Sequence, residues 1–275
     1  MPPSSPSFAA CYGGECHPRV GTSGGVTMRI LLINPNISQS VSALIAAEAR
    51  RAASAPTQIE VATASVGVAY IETRFEALIG AYAAATLAAE HQSRHDALVI
   101  AAFGDPGLAG IREAVDIPVV GLTEAALMTA CMLGGRFSII AISHRIKAWY
   151  RETVQTHGLI DRLASIRCLN TPLRDVGTVQ QDHEQRLREL CKLAVEEDVA
   201  DVIIIAGAPL AGLARTIRAD IPVPLVDGVS SAVRHAETLI ALAPGRAREG
   251  SYAAPPRKAN QGLPDSLARL LAGQA

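Results

Sequence analysis

One strand–turn–helix unit occurs twice in this chain at a fixed offset, and that repeat restricts the fold more than any other feature. Residues 95–110 read HDALVIAAFGDPGLAG and residues 200–212 read ADVIIIAGAPLAG. An Ile-Pro-Val triplet follows each copy, beginning at Ile117 and at Ile221. Asp96 and Asp201 are 105 residues apart, and Ile117 and Ile221 are 104 apart. Each copy holds an acidic residue, a run that suits a strand buried on both faces, and a Gly/Pro turn leading into a helix. Such a repeat predicts two similar half-domains whose strand ends face each other across a cleft. The equivalent residues at the two strand ends are Ala102 and Gly207. Neither can carry a proton.

The rest of the chain extends the same pattern. Apolar runs bounded by turn residues fall at 29–34, 58–64, 97–102, 118–121, 137–142, 166–169, 202–206 and 223–226. Helical patterns lie between them at 40–53, 71–91, 124–133, 182–197 and 229–242, and Asp182 with Gln185 has the spacing of a capping pair. The alternation predicts an α/β protein of two similar lobes, each a mostly parallel sheet flanked by helices. Residues 28–121 are expected to form lobe one and 122–221 lobe two, with 222–242 either continuing lobe two or returning to lobe one. Residues 1–27, rich in Pro, Ser and Gly, are expected to be a disordered tail, with Met28 as an alternative start. Residues 243–275 are expected to be a loose C-terminal tail with a short helix at 265–271.

Composition narrows the function classes. Lys plus Arg (25) balances Asp plus Glu (26), so no basic stripe marks a nucleic-acid surface. No apolar stretch is long enough to span a bilayer, so no membrane partner is expected. Five cysteines in no regular framework point to a reduced, cytoplasmic protein. Cys11, Cys16 and His17 have no second ligand cluster at zinc-site spacing, so no metal is expected. With no GxGxxG, P-loop or GxSxG motif, no nucleotide cofactor is expected, and the partner is a small molecule.

In parallel sheets a ligand sits beyond the carboxyl ends of the strands. Asn34, Asn36 and Ser38 follow the first strand, and Ser38 or Ser40 suits the cap of the next helix. Phe103, Gly104 and Asp105 follow the third, in a turn whose free N–H groups suit a carboxylate or carbonyl oxygen. Asp105 reads equally as the N-cap of the following helix, with Pro106 at its first position. Ser143 and His144 follow the fifth strand, beside Arg145, where a solvated helix start is the competing reading. Gly207 and Ala208 follow the seventh, Asp227 the eighth, and Glu124 lies at the crossover after Gly121. His144, Asp105, Asp227 and Glu124 are therefore the candidate proton carriers. Asn34, Asn36, Ser38, Ala102, Phe103, Gly104, Ser143, Gly207 and Ala208 are the candidate ligand contacts. The other histidines, His95 among them, read as surface or loop residues.

The segments INPNIS, GVAYIETRFE, VIAAFGDPGL, IAGAPLAGLA and VDGVSSAV, in that order, resemble the aspartate/glutamate/hydantoin racemase superfamily, closest to its hydantoin and allantoin racemase branch. The similarity runs from residue 28 to about residue 242. It implies two similar lobes, a cofactor-free site between them for a small carbonyl or carboxylate compound, and a homo-oligomer. In the family it resembles, two cysteines face each other across the substrate: one removes a proton from carbon and the other returns one to the opposite face. The resemblance places those cysteines at Ala102 and Gly207. Two expectations follow. The chain is either a cofactor-independent isomerase with other proton carriers, or a catalytically silent small-ligand-binding or regulatory homologue.

Overall fold

The computed structural model describes residues 27–170 and 175–272. Strands β1 (Arg29–Asn34), β2 (Gln58–Thr63), β3 (Ala97–Ile100) and β4 (Val119–Gly121) form a parallel sheet in the order β2-β1-β3-β4. Strands β5 (Phe137–Ala141), β6 (Leu163–Cys168), β7 (Val202–Ile205) and β8 (Leu225–Asp227) form a second in the order β6-β5-β7-β8. The two repeat copies therefore supply β3 and β7, which hold the same inner place in each sheet.

Helices α1 (Gln39–Ala52), α2 (Arg74–His91), α3 (Leu108–Ala114), α4 (Leu122–Leu133), α5 (Lys147–Thr156), α6 (Val179–Glu196), α7 (Leu213–Ile217), α8 (Gly228–Leu242) and α9 (Asp265–Leu271) complete the described fold. Side chains alternate across a strand, so each sheet buries two faces. Ile30 and Leu32 of β1 share a core with Ile139 of β5 and Ile204 of β7, which joins the two lobes. Leu31 and Ile33 instead meet Leu98, Ile100 and Ala84 on the outer face of sheet one. Ile140, Ile203 and Ile205 pack with Leu187 and Leu190 of α6 on the outer face of sheet two.

The two sheets exchange helices. Helix α4, which follows the last strand of sheet one, packs on β7 and on α8. Helix α8, which follows the last strand of sheet two, packs on α1, β3, β4 and α4. Buried Glu237 fixes α8 to lobe one by accepting from Ser54 N (2.7 Å), Ser54 Oγ (3.0 Å) and Thr57 Oγ1 (2.6 Å). Ser230 at the other end of α8 donates to Glu48 of α1. The segment 222–242 thus divides: β8 pairs with β7, beyond the boundary expected at 221, while α8 returns to lobe one.

Three local expectations change. In the C-terminal stretch, α9 packs on α2 and Arg246 pairs with Asp116, while the residues before α9 are irregular and largely exposed. Asp182 does not begin a helix. Helix α6 starts at Val179, and the Asp182 carboxylate accepts from Thr178 Oγ1 (2.8 Å) while the backbone kinks at His183. His95 is buried, hydrogen-bonded to His91 O (2.9 Å) and Glu60 Oε2 (3.1 Å). Helices α3, α5 and α7 had no clear periodic signal, since at 7, 10 and 5 residues they span too few turns to display one. The expected disordered tail, with Cys11, Cys16 and His17, lies outside the described residues apart from Thr27.

Candidate active site

The loop after β1 is built by its own polar side chains. Asn34 is fully buried and donates through Nδ2 to Asn36 Oδ1 (3.1 Å), Ser38 O (3.2 Å) and Ser42 Oγ (2.9 Å). Asn36 Oδ1 also accepts from Ser38 N (2.9 Å). Ser38, rather than Ser40, caps α1 by accepting from Val41 N. These three residues shape a strand-end floor, with much of their hydrogen-bonding capacity used within it.

The loops after β3 and β7 repeat the same geometry and then part. Ala102 O accepts from Asp105 N (3.1 Å), and Gly207 O accepts from Leu210 N (2.9 Å). Gly107 and Gly212 cap α3 and α7 at φ 81° and 86°. In the first loop the positive φ values fall on Gly104 (102°) and Asp105 (47°), past the strand end. In the second the strand-end residue itself, Gly207, takes φ 101° and ψ 142°. That region is essentially reserved for glycine. A Cβ at Gly207 would have space, with Pro209 Cδ at 3.6 Å and Tyr150 Oη at 3.9 Å, but a strained backbone.

Asp105 does cap a helix, though not the one that follows it. Its carboxylate accepts from Thr123 N and Glu124 N, both at 2.8 Å, at the start of α4. Thr123 Oγ1 in turn accepts from Gly104 N (2.5 Å). Burial pushes the Asp105 carboxyl up to about 7, against the downward pull of the two backbone N–H groups. Asp227 makes the matching tie in lobe two: one oxygen accepts from Ser230 N (2.9 Å) and the other from Gly212 N (2.7 Å). Burial raises its pKa as well.

The other two candidate carriers differ in setting. Glu124 pairs with Arg112 (2.6 Å) and lines a separate cavity of about 860 Å³ along β4, with Met128, His235 and Tyr252. His144 is exposed, and its carbonyl accepts from Lys147 N (3.2 Å) at the start of α5. Ser143 Oγ donates to Glu72 Oε2 (2.8 Å), a bond between the β5–α5 and β2–α2 loops.

An aromatic wall joins the two strand ends, and sequence reasoning missed it. Helix α5 carries Trp149 and Tyr150 side by side. The Tyr150 ring packs on Phe103 after β3, with centroids 4.6 Å apart, while its hydroxyl points toward Gly207 after β7. Trp149 fills the space over Gly104, where a Cβ would overlap its ring. Phe103 and Ala208 are buried in the core that holds Tyr150, and Ala102 is itself buried. The signal was an adjacent Trp-Tyr pair in a chain only 4% aromatic, but it sat in a helix too short to be read. Tyr70, from the β2–α2 loop, packs against the outer core of lobe two, and its hydroxyl is buried without a partner among the described residues. Burial pushes the phenols of Tyr70 and Tyr150 well above their ordinary value, and the Cys168 thiol to about 11. Tyr70→Phe is expected to raise folding stability by about 1 kcal/mol, since it deletes an unpaired buried hydroxyl. A urea midpoint lower than wild type would contradict this.

Among the described residues, no group of three or more His, Cys, Asp and Glu side chains converges as a metal site. Nor is any described helix long and apolar enough to cross a membrane. Two parallel sheets in the same strand order, with paired Gly-rich loops at the ends of β3 and β7, define a two-lobed α/β protein with matched strand-end loops. Residues 30–236 match the family described as Asp/Glu/Hydantoin racemase, and the chain belongs to that family. It is 35% identical over 233 residues to a hydantoin racemase of Paenarthrobacter aurescens, covering 84% of this chain and 99% of that protein. A second hydantoin racemase, from Pseudomonas sp. (strain NS671), is 32% identical over 243 residues, covering 88% and 98%. The solved structure of an allantoin racemase from Klebsiella pneumoniae superposes with a TM-score of 0.82 at 33% identity, covering 86% of this chain and 97% of that one.

Proposed function

We propose that the cleft at the β3 and β7 ends takes a hydantoin-like or related small carbonyl or carboxylate compound. We further propose that the chain acts on it as a cofactor-independent isomerase whose proton carriers are not the side chains at 102 and 207. The observation that carries this is the pair of matched strand-end loops, each tied by a buried aspartate to backbone N–H groups, in a chain whose relatives are hydantoin and allantoin racemases. Racemisation removes a proton from one face of a carbon and returns one to the other, so it needs an ionisable group on each side. The methyl of Ala102 and the hydrogen of Gly207 supply none. Asp105 and Asp227 tie down the loops that carry these positions, one in each lobe, both with raised pKa, and are the carriers proposed. A group titrating at about 7 suits general acid–base work at neutral pH.

The same hydrogen bonds favour a second function, a silent binding protein. Both carboxylates already accept from backbone N–H groups, and Glu124 is engaged by Arg112. Deuterium exchange at the acidic carbon of allantoin and of 5-substituted hydantoins, followed by NMR, separates the two. Exchange supports the isomerase. Binding by calorimetry without exchange supports the binder, and neither result would remove both. A further expected result concerns thiols at the two strand ends. Ala102→Cys is expected to fold like wild type, whereas Gly207→Cys should cost about 1–3 kcal/mol through its backbone angle. If the double variant still folds, it is expected to gain racemisation, measured by polarimetry. A folded but inert double variant that binds the hydantoin would show that the cleft no longer orients its carbon between these positions.

A further inference from the structure

We propose that Tyr150 is the ligand-recognising residue on the lobe-two side of the cleft. Its phenol donates a hydrogen bond to a carbonyl or carboxylate oxygen lodged beside Gly207, in the space that a side chain at 207 would fill. This deepens the function proposed above and rests on it.

Three observations converge on this hydroxyl. The first is position. Tyr150 Oη lies 3.9 Å from where a Cβ at Gly207 would stand, and its ring packs at a tilt against Phe103 beside Ala102, so one side chain reaches both strand ends. An oxygen displaced from that Cβ point by about 1 Å toward the ring comes within ordinary O–H···O distance. The second is availability. The Tyr150 ring is buried, with the residue only 3% exposed, and its hydroxyl is not one of the fully enclosed orphan hydroxyls, such as that of Tyr70; no side chain among the described residues holds it, so it is free to meet an oxygen in the cleft. The third is protonation. Burial, reinforced by neighbouring Tyr70, Cys168 and Asp105, holds the phenol in its neutral form, which makes it a donor and not a base. The ring is also held in place, between Phe103 at 4.6 Å and Trp149 at 5.7 Å, so little ordering is needed when the ligand arrives.

Gly207 fits the same picture. Its backbone disfavours any side chain, which keeps the space beside Tyr150 open. The polar group on the lobe-two side then comes from helix α5 in place of the strand end itself. A hydrogen-bond donor at this point orients the ligand's oxygen; it does not by itself move a proton from carbon.

The test compares full-length wild type with Tyr150→Phe, using allantoin and 5-benzylhydantoin as probes in calorimetry. The phenylalanine keeps the packing on Phe103, so its thermal midpoint is expected to match wild type. Its dissociation constant for the probe that wild type binds is expected to rise about tenfold. The near-ultraviolet tyrosine difference spectrum that the probe induces in wild type should shrink in the variant. That signature would not respond if Tyr150 were only packing. Equal affinity in the two proteins would overturn the role of Tyr150 while leaving the cleft assignment standing. Failure of wild type to bind either probe would overturn the cleft assignment, and this proposal with it.

Discussion

Asp105→Ala is expected to destabilise the protein by about 3 kcal/mol or more, because two buried backbone N–H groups at the start of α4 would lose their acceptor. The same residue sets a pH dependence of unusual sign. Its folded pKa of about 7 lies above the ordinary 3.8, so between these values the unfolded chain has released a proton that the folded chain retains. Stability from this group is therefore complete below the unfolded value and falls as pH rises toward 7, the reverse of an ion-paired carboxylate. Urea midpoints at acidic and neutral pH, compared between wild type and Asp105→Asn, check it. The asparagine should flatten this part of the slope, and an unchanged slope would assign it to another group. Asp227 has the same kind of burial and backbone partners and contributes in the same direction.

Gly104→Ala is the second large effect, expected to cost about 3–5 kcal/mol. Two penalties combine: a positive φ of 102° for a residue bearing a Cβ, and overlap with the Trp149 ring. Relief of the overlap would push Trp149 outward and tilt the start of the aromatic wall, so probe affinity should fall along with stability. Thermal unfolding and calorimetry on one preparation read both. A variant with wild-type midpoint and wild-type affinity would mean that the Trp149 ring yields freely.

The sequence and structure agree best where information is local and strong. Strand β1 is legible to the residue because RILLIN is buried along nearly its whole length and ends in a polar turn. The places of Ala102 and Gly207 are equally legible, since the repeat aligns them without any knowledge of contacts. The partners of Asp105 were not legible. Its bonds reach 18 and 19 residues ahead to α4, whereas cap spacing points to the helix beginning at Leu108. Glu124 was placed at the right crossover, but its orientation is decided by Arg112, a residue whose side chain no spacing rule ties to it. Tyr150 was overlooked for a related reason: its interest comes from two loops 47 and 57 residues away in sequence, at Phe103 and Gly207. Positions at strand ends can be read from pattern, while the side chains that close a cleft from another element depend on packing alone.

The exchange of α4 and α8 between the sheets has a consequence in time. During synthesis β1 to β4 emerge well before residues 228–242, the helix that covers β3 and β4 and supplies Glu237 to Ser54 and Thr57. Until then the inner face of the first sheet stays open, and α4 has no β7 to rest on. Contacts spanning some 180 residues form late and slow folding. Neither lobe can finish ahead of the other, so the nascent chain carries an exposed apolar sheet face until β8 and α8 arrive together.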